Sequence, residues 1–502
     1  MNQLKVGAIL NYVIIALNTV VGLAYTPYML RCLGQNEYGL YSLVSSVIAY
    51  LTLLDFGFGN AIIRYTAKFR AEDKLQEQWE MFGMFLIVYS LIGIMAFCGG
   101  LALYFNVDNL FDRTMTNAEL GQARIMMLLL TINLAITFPL SIFGSIITAY
   151  ENFIFQRLIS IVRIIISTGV LVLVLAIGFK AVALVIVQTI FNILVLLINV
   201  IYCRKKLGIK IVFNKIDVPF LKEISVYSFW IFLNAIMDKI YWGSGQFVLG
   251  AISGTAAVAI FSVAIMLQQM YMQFSTSIAS VLLPKLTAMT AKKKSEVEIS
   301  DLFIRTGRLQ FIVMSLILAG FIIFGKEFII AWAGNDYLLS YHVALIFFVA
   351  LFIPLIQNTG IAILQARNQM KFRSLLYLFI SIISLTFQFF LSRQMGVIGC
   401  AIAIGIALII GQGIVMNWYY QKRQHIDILK FWKQIGRMLL PPAMLTILAS
   451  FISRSIDLSN LIRLIVGILV FAGCYIFVIW KLCMNTNERQ LILSPFKRIM
   501  RK

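Results

Sequence analysis

Two adjacent charges, Asp238 and Lys239, stand near the middle of a long apolar run over residues 224–249. Placed in hydrocarbon, each would cost about 2.5–3.5 kcal/mol on insertion scales, which makes it a functional candidate by default. Neighbours on a helix point about 100° apart, so the two do not simply neutralise each other. Lys239 could hold an anion and Asp238 a cation, or each could pair with a charge on another helix and only fix packing. Asp55 and Arg64 flank Gly57-Phe58-Gly59-Asn60 near the end of the run 39–63. Those glycines could loosen a helix into a gate, or the segment is an ordinary interfacial helix end with snorkelling charges. Arg163, about a turn into the run 158–178, could meet an incoming anion or snorkel. Arg31 and Lys326 lie towards the outer ends of their runs, where snorkelling is the simpler account.

A softer polar set accompanies these charges: Asn11, Asn18, Asn133, Gln188, Asn192, Gln268, Gln269, Gln273, Gln357 and Asn358. Amides of this kind can bind sugars. Interhelical hydrogen bonds of about 0.6 kcal/mol each explain them equally well as packing contacts. Other chemistry is poorly served. The six cysteines (Cys32, Cys98, Cys203, Cys400, Cys474, Cys483) form no CxxC pair, and the two histidines, His342 and His425, are far apart, so no metal-ligand or disulfide spacing exists. No catalytic triad, HExxH or phosphate-binding glycine loop is present.

The elements that must position these residues follow from composition. Of 502 residues, 61% are apolar and 13% charged, against about 45–50% and about 25% in soluble domains. So few charges cannot cover a water-soluble surface. The net charge of +21 does not point to nucleic acid, because the basic residues sit in short clusters between apolar runs. The stretch from Val6 to Leu30 exceeds a signal-peptide core of about 7–15 residues and reads as a first membrane helix. Runs of about 20 apolar residues then predict about fourteen spans, from 6–31 to 462–483. Loop charges alternate across them, with about 32 basic residues on one side and about 7 on the other, which places both termini in the cytoplasm. The loops are too short for a soluble domain.

An internal repeat refines this plan. Leu33-Gly34 recurs as Leu249-Gly250, and Gly39-Leu-Tyr-Ser-Leu-Val44 resembles Ala259-Ile-Phe-Ser-Val-Ala264. At a similar shift, Pro139, Gly144, Asn152 and Arg157 face Pro354, Gly360, Asn368 and Arg373. The expected fold is an all-α integral membrane protein of two six-helix lobes, 1–205 and 206–436. Two additional transmembrane helices and a cytoplasmic tail follow in 437–502. Parallel repeats of this kind form transporters with a substrate site at the repeat interface, and Pro27, Pro139 and Pro354 are expected to bend helices there.

The stretch Tyr28-Met-Leu-Arg-Cys-Leu-Gly-Gln-Asn-Glu-Tyr-Gly-Leu-Tyr-Ser-Leu-Val44, followed by Leu53-Leu-Asp-Phe-Gly-Phe-Gly-Asn-Ala-Ile-Ile-Arg-Tyr65, resembles the polysaccharide biosynthesis family of oligosaccharide-lipid flippases. The likeness continues in Met237-Asp-Lys through Val248-Leu-Gly250 and in Val281-Leu-Leu-Pro-Lys285. The resemblance implies a bacterial inner-membrane protein with a central cavity open to one side at a time. Its cargo would be undecaprenyl-diphosphate-linked oligosaccharide for O-antigen, capsule or exopolysaccharide. It further implies a polysaccharide polymerase and a chain-length regulator as partners, with no cofactor beyond a possible coupling ion, Na⁺ or H⁺. On that reading Lys239, Arg163, Arg64 and Arg31 would bind diphosphate and sugar, while Asp238 and Asp55 would couple the ion. An ion-coupled multidrug antiporter of the same superfamily is the alternative; it should favour acidic cavity residues, and basic ones are at least as common here. A membrane glycosyltransferase would need larger catalytic loops, and a scaffold would not need Asp238 and Lys239 at membrane depth.

Overall fold

Apolar runs separated by glycine turns and short basic loops give a chain that is helical throughout the described residues, with no strand among them. The computed structural model describes residues 3–214, 217–292, 294–367, 369–458, 460–486 and 488–490. Lys215, Lys293, Asn368 and the tail residues Lys497, Arg498, Arg501 and Lys502 lie outside them. In order the helices are α1 (Gln3–Leu51), α2 (Phe58–Ala71), α3 (Leu75–Phe105), α4 (Val107–Phe111), α5 (Asn117–Ala149), α6 (Phe153–Ala176), α7 (Ala181–Lys205) and α8 (Val218–Ser253). There follow α9 (Thr255–Ala291), α10 (Glu296–Trp332), α11 (Leu338–Ile356), α12 (Thr359–Ala366), α13 (Lys371–Leu408), α14 (Met416–Lys422), α15 (Ile428–Ser453) and α16 (Leu461–Val478).

Eleven helical segments among the described residues are long and apolar enough to cross a membrane. Two of them are too long for one crossing. Ile9–Ala71 has 63 residues and Lys371–Lys422 has 52, which would reach about 95 and about 78 Å if straight, against a core of about 30 Å. Each contains a glycine in a conformation closed to L side chains: Gly34 at φ 75°, ψ 175° and Gly396 at φ 56°, ψ −132°.

These glycines show where the repeat lies. Gly254, between α8 and α9, has φ 83° and ψ −177°, nearly the values of Gly34. Gly178, between α6 and α7, is likewise left-handed at φ 94° and stands 218 residues before Gly396. The structural counterpart of Gly34 is therefore Gly254 and not Gly250. Gly250 lies inside α8, where an added Cβ would come within 2.7 Å of Leu43.

The chain folds as two compact units, Met1–Ala259 and Ile260–Lys502. In the first, α5 packs against α3 and α7, α6 against α1, and α8 against α1 and α2. Gly39 permits the closest approach: a Cβ there would stand 1.8 Å from the Thr255 carbonyl oxygen. In the second, α10 packs on α11, α15 and α16. A bidentate ion pair ties the end of that unit to α10. Arg308 Nε and Nη2 donate to Glu488 at 2.6 and 2.9 Å, and Nη2 also donates to the Cys483 carbonyl at 3.0 Å. Glu488 is fully buried. The two partners are 180 residues apart, and loop charges gave no sign of their pairing.

Candidate functional site

Asp55 stands at a break in the second apolar run and not at the end of its helix. Its helix breaks and then continues for a further fourteen residues as α2. Thr52–Asp55 tightens into a 3₁₀ turn, and Phe56 (φ 50°) and Gly57 (φ 75°) both turn left-handed. A left-handed residue with a Cβ costs about 1–2 kcal/mol. At Phe56 that strain is offset by ring contacts with Phe58 at 6.0 Å and Phe232 at 4.8 Å. Backbone groups freed by the break bond locally, Phe56 N to Leu53 O at 3.3 Å and Asn60 N to Gly57 O at 3.2 Å.

Asp55, the last residue of the 3₁₀ turn, accepts a hydrogen bond of 2.7 Å from the Tyr89 hydroxyl on α3. Tyr89 is 1% exposed and held between Phe58, edge-on at 6.3 Å, and Phe138, stacked at 6.4 Å. Gly59 keeps the space beside it open, since a Cβ there would lie 3.9 Å from the Tyr89 hydroxyl and 3.3 Å from Ser145 Oγ.

Across from this break runs α8. Phe232, Lys239 and Gly243 are spaced by seven and four residues, which puts them on one helix face. That face meets α1: Phe232 touches Phe56, the Lys239 carbonyl accepts from Tyr50 Oη at 3.3 Å, and Gly243 fits against the same hydroxyl. Lys239 is half-buried there, and Asp238, a third of a turn round, is exposed. Tyr50 precedes Asp55 by five residues, about 8 Å along the helix. The fold thus sets Phe232 against the Asp55 break and the Lys239 backbone against Tyr50, two turns further along α8.

Arg163 lies further along its helix than the run 158–178 implied. Because α6 begins at Phe153, Arg163 is ten residues in, about 15 Å along the axis. It shares a face with Gln156, Ser160 and Ser167, opposite the exposed stripe of Leu158, Val162, Ile165 and Leu173. Arg64 and Arg31 are exposed; the Arg64 guanidinium lies 5.7 Å from the Tyr65 ring. Lys326 is exposed on α10.

Much of the amide set makes interhelical bonds. Asn192 donates to Asn133 and to Thr137, both at 2.8 Å, and Gln188 pairs with Tyr41 at 2.8 and 3.1 Å. Gln357 and Asn417 bond reciprocally, and Trp432 Nε1 donates to Asn417 at 2.9 Å. Sequence reading missed an acidic cavity of about 370 Å³ in the first unit, lined by Glu72, Glu77, Glu80, Asp217 and Glu223 together with Lys68 and Lys74. Its five carboxylates come from two segments, 72–80 and 217–223, which only the fold brings together. Lys74 lies 3.4 Å from Glu72 and 3.6 Å from Glu77, and these carboxylates raise its pKa above the ordinary lysine value.

The all-helical fold is that of multidrug and lipid flippase transporters of the MOP superfamily. A lipid II flippase, MurJ, in an inward closed conformation superposes with a TM-score of 0.73 at 16% identity, over 98% of this chain and 99% of that one. An inward-facing multidrug resistance MATE transporter gives 0.64 at 14% identity, over 79% and 92%. A Shigella flexneri protein provisionally named an O-antigen transporter is 21% identical over 419 residues, 81% of this chain and 95% of that protein. Residues 4–290 match the polysaccharide biosynthesis protein family, and the chain belongs to that family. It is a multi-pass protein of the bacterial inner membrane and a transporter rather than an enzyme.

Proposed function

We propose that this protein is a flippase that moves undecaprenyl-diphosphate-linked oligosaccharide repeat units from the cytoplasmic to the outer leaflet, for O-antigen, capsule or exopolysaccharide. The observation that supports the reading is the broken second span with its Asp55, packed against α8, the helix that also bears Lys239. A diphosphate and its sugars cannot cross hydrocarbon bare, so the carrier needs cations at membrane depth. Lys239 and Arg163 supply them on inward helix faces, and Arg64 and Arg31 would guide the headgroup at the two ends. The isoprenoid tail stays in lipid. Asp55 and Asp238 carry the coupling ion, Na⁺ or H⁺. Fourteen crossings, obtained by dividing the two over-long segments at Gly34 and Gly396 and counting α8, put both termini in the cytoplasm. The repeat lobes are 1–205 and 206–436, with 437–502 appended, and a polymerase and a chain-length regulator are the expected partners.

Deletion of the gene in its own host tests the reading. Loss of one surface polymer, with its lipid-linked repeat unit trapped on the cytoplasmic leaflet, is the expected result. Intact polysaccharide with new drug sensitivity would replace it with the multidrug antiporter.

A further inference from the structure

The long segment Lys371–Lys422 begins and ends at one place in the second unit. Phe372 on α13 and Tyr419 on α14 stack there, with ring centroids 4.1 Å apart and planes 9° from parallel. The first unit carries the same pair: Phe155 and Tyr202, each 217 residues earlier, stack at 3.5 Å. That equivalence makes Gln156, and not Arg157, the counterpart of Arg373. Gln156 is satisfied within the protein. Its amide donates to the Gly144 carbonyl at 2.6 Å, and its oxygen accepts from the Thr148 hydroxyl at 3.0 Å. Arg373 occupies the same position without such partners. Its Nε is buried and has no acceptor, and its guanidinium lies 5.6 Å from the Tyr377 ring.

Buried polar atoms are paired in the great majority of cases, and an orphan calls for a further partner. A guanidinium keeps its charge at any ordinary pH, so the partner that suits Arg373 is an anion. Its neighbours add to that demand. Lys371, where the first unit has Ile154, and Lys422 are both exposed and make no ion pair among the described residues. Arg367, four residues before Lys371, is already engaged by Glu296 and by the Gln424 carbonyl. Three uncommitted cations therefore flank the Phe372–Tyr419 stack.

Next to these cations the surface is apolar. Lys371, Leu375, Phe379 and Ile382 share one face of α13, on which the three apolar side chains are exposed. On α14, Trp418 is exposed one turn before Lys422, and indoles favour the membrane–water interface. Cations at the head of an exposed apolar stripe match a ligand with an anionic head and hydrocarbon chains, and basic clusters at the ends of membrane helices bind such headgroups. We propose that Arg373, Lys371 and Lys422 bind the phosphate of an anionic phospholipid, whose acyl chains lie along Leu375, Phe379 and Ile382. Free phosphate shares the anionic chemistry but has no use for the stripe. The site belongs to the second unit alone and does not depend on which cargo is carried.

The test titrates purified full-length protein with phosphatidylglycerol and, separately, with phosphatidylcholine, and reads the bound lipid by native mass spectrometry. The expected result is saturable binding of phosphatidylglycerol at concentrations that leave phosphatidylcholine unbound, undiminished by excess inorganic phosphate. Lys371→Gln/Arg373→Gln should weaken that binding about ten- to thirty-fold. Glutamine already stands at the equivalent of Arg373 in the first unit, so the double variant should unfold as the wild type does. Lys371→Gln alone removes only an exposed side chain and should weaken binding about five-fold, which keeps the test informative if the double variant folds poorly. Arg204→Gln/Lys205→Gln takes the same charge from the exposed end of α7 and should change nothing. Equal binding of the two lipids, or wild-type binding by the double variant, would overturn the proposal. So would an equal loss in the α7 variant, which would reduce the effect to net charge, or displacement by inorganic phosphate, which would make the site one for a free anion.

Discussion

The breaks in the second and tenth spans differ in kind, although both interrupt apolar helices inside one repeated scaffold. The second-span break carries a carboxylate, held by a phenol and facing a lysine-bearing helix. The tenth-span break, between α11 and α12, carries only neutral side chains around Ser275 of α9. Nor do the breaks correspond within the repeat. The counterpart of the second span, α9, is continuous from Thr255 to Ala291, and the counterpart of the tenth, α5, runs unbroken from Asn117 to Ala149 through Pro139. What the halves share is the pair of turn glycines, Gly34 with Gly254 and Gly178 with Gly396. Chain reversal imposes the same backbone demand on both halves. An intramembrane break is tolerated wherever local partners can satisfy its freed groups, so its position is free to diverge with function.

The ion pair Arg308–Glu488 in the second unit is structural on this view and Asp55 in the first is functional, and substitutions can break that contrast. The largest effect is expected from Arg308→Ala, which leaves Glu488 buried without its cation. Breaking a buried pair costs about 3–5 kcal/mol, read as a fall in unfolding midpoint, while Arg308→Met/Glu488→Leu should recover most of it. Asp55→Asn should do the reverse. Transport should fall about 10- to 100-fold, the equivalent of a hydrogen bond to a charged group, with unfolding almost unchanged; a large loss of stability instead would make Asp55 structural. Gly39→Ala sharpens the shared scaffold, because its Cβ must displace the Thr255 backbone, at about 1–3 kcal/mol by thermal unfolding. The smallest effect belongs to Asn192→Leu, about 0.6 kcal/mol with normal transport, as befits a packing amide. A transport defect there would move Asn133 and Asn192 into the cargo path.

Hydropathy made most of the fold legible in the sequence, since apolar runs and loop charges reflect the bilayer directly. The repeat was legible too, but off by four residues at Gly250. A Leu-Gly match is a chance-prone signal, and what recurs is a left-handed backbone that only Gly254 adopts. The Asp55 site was half legible. Gly57 marks a weak point, but nothing about Phe56 announces a left-handed residue; contact with Phe232, far along the chain, stabilises it. The start of α6 was legible only to within five residues, because Phe153-Ile154-Phe155 extend the helix before the run that hydropathy marked out. Arg308–Glu488 and the Ser275 junction were invisible, because each joins residues whose spacing carries no local period.

The central claim is that Lys239, on the helix packed against the Asp55 break, carries an anionic lipid headgroup across the membrane. It is tested most directly in proteoliposomes of purified protein loaded with a polyprenyl-diphosphate oligosaccharide. An impermeant glycosidase added outside reports how much lipid reaches the outer leaflet. The wild type should expose the whole lipid pool, whereas an equally folded Lys239→Ala protein should leave the inner-leaflet share protected. Equal exposure by both proteins would contradict the account.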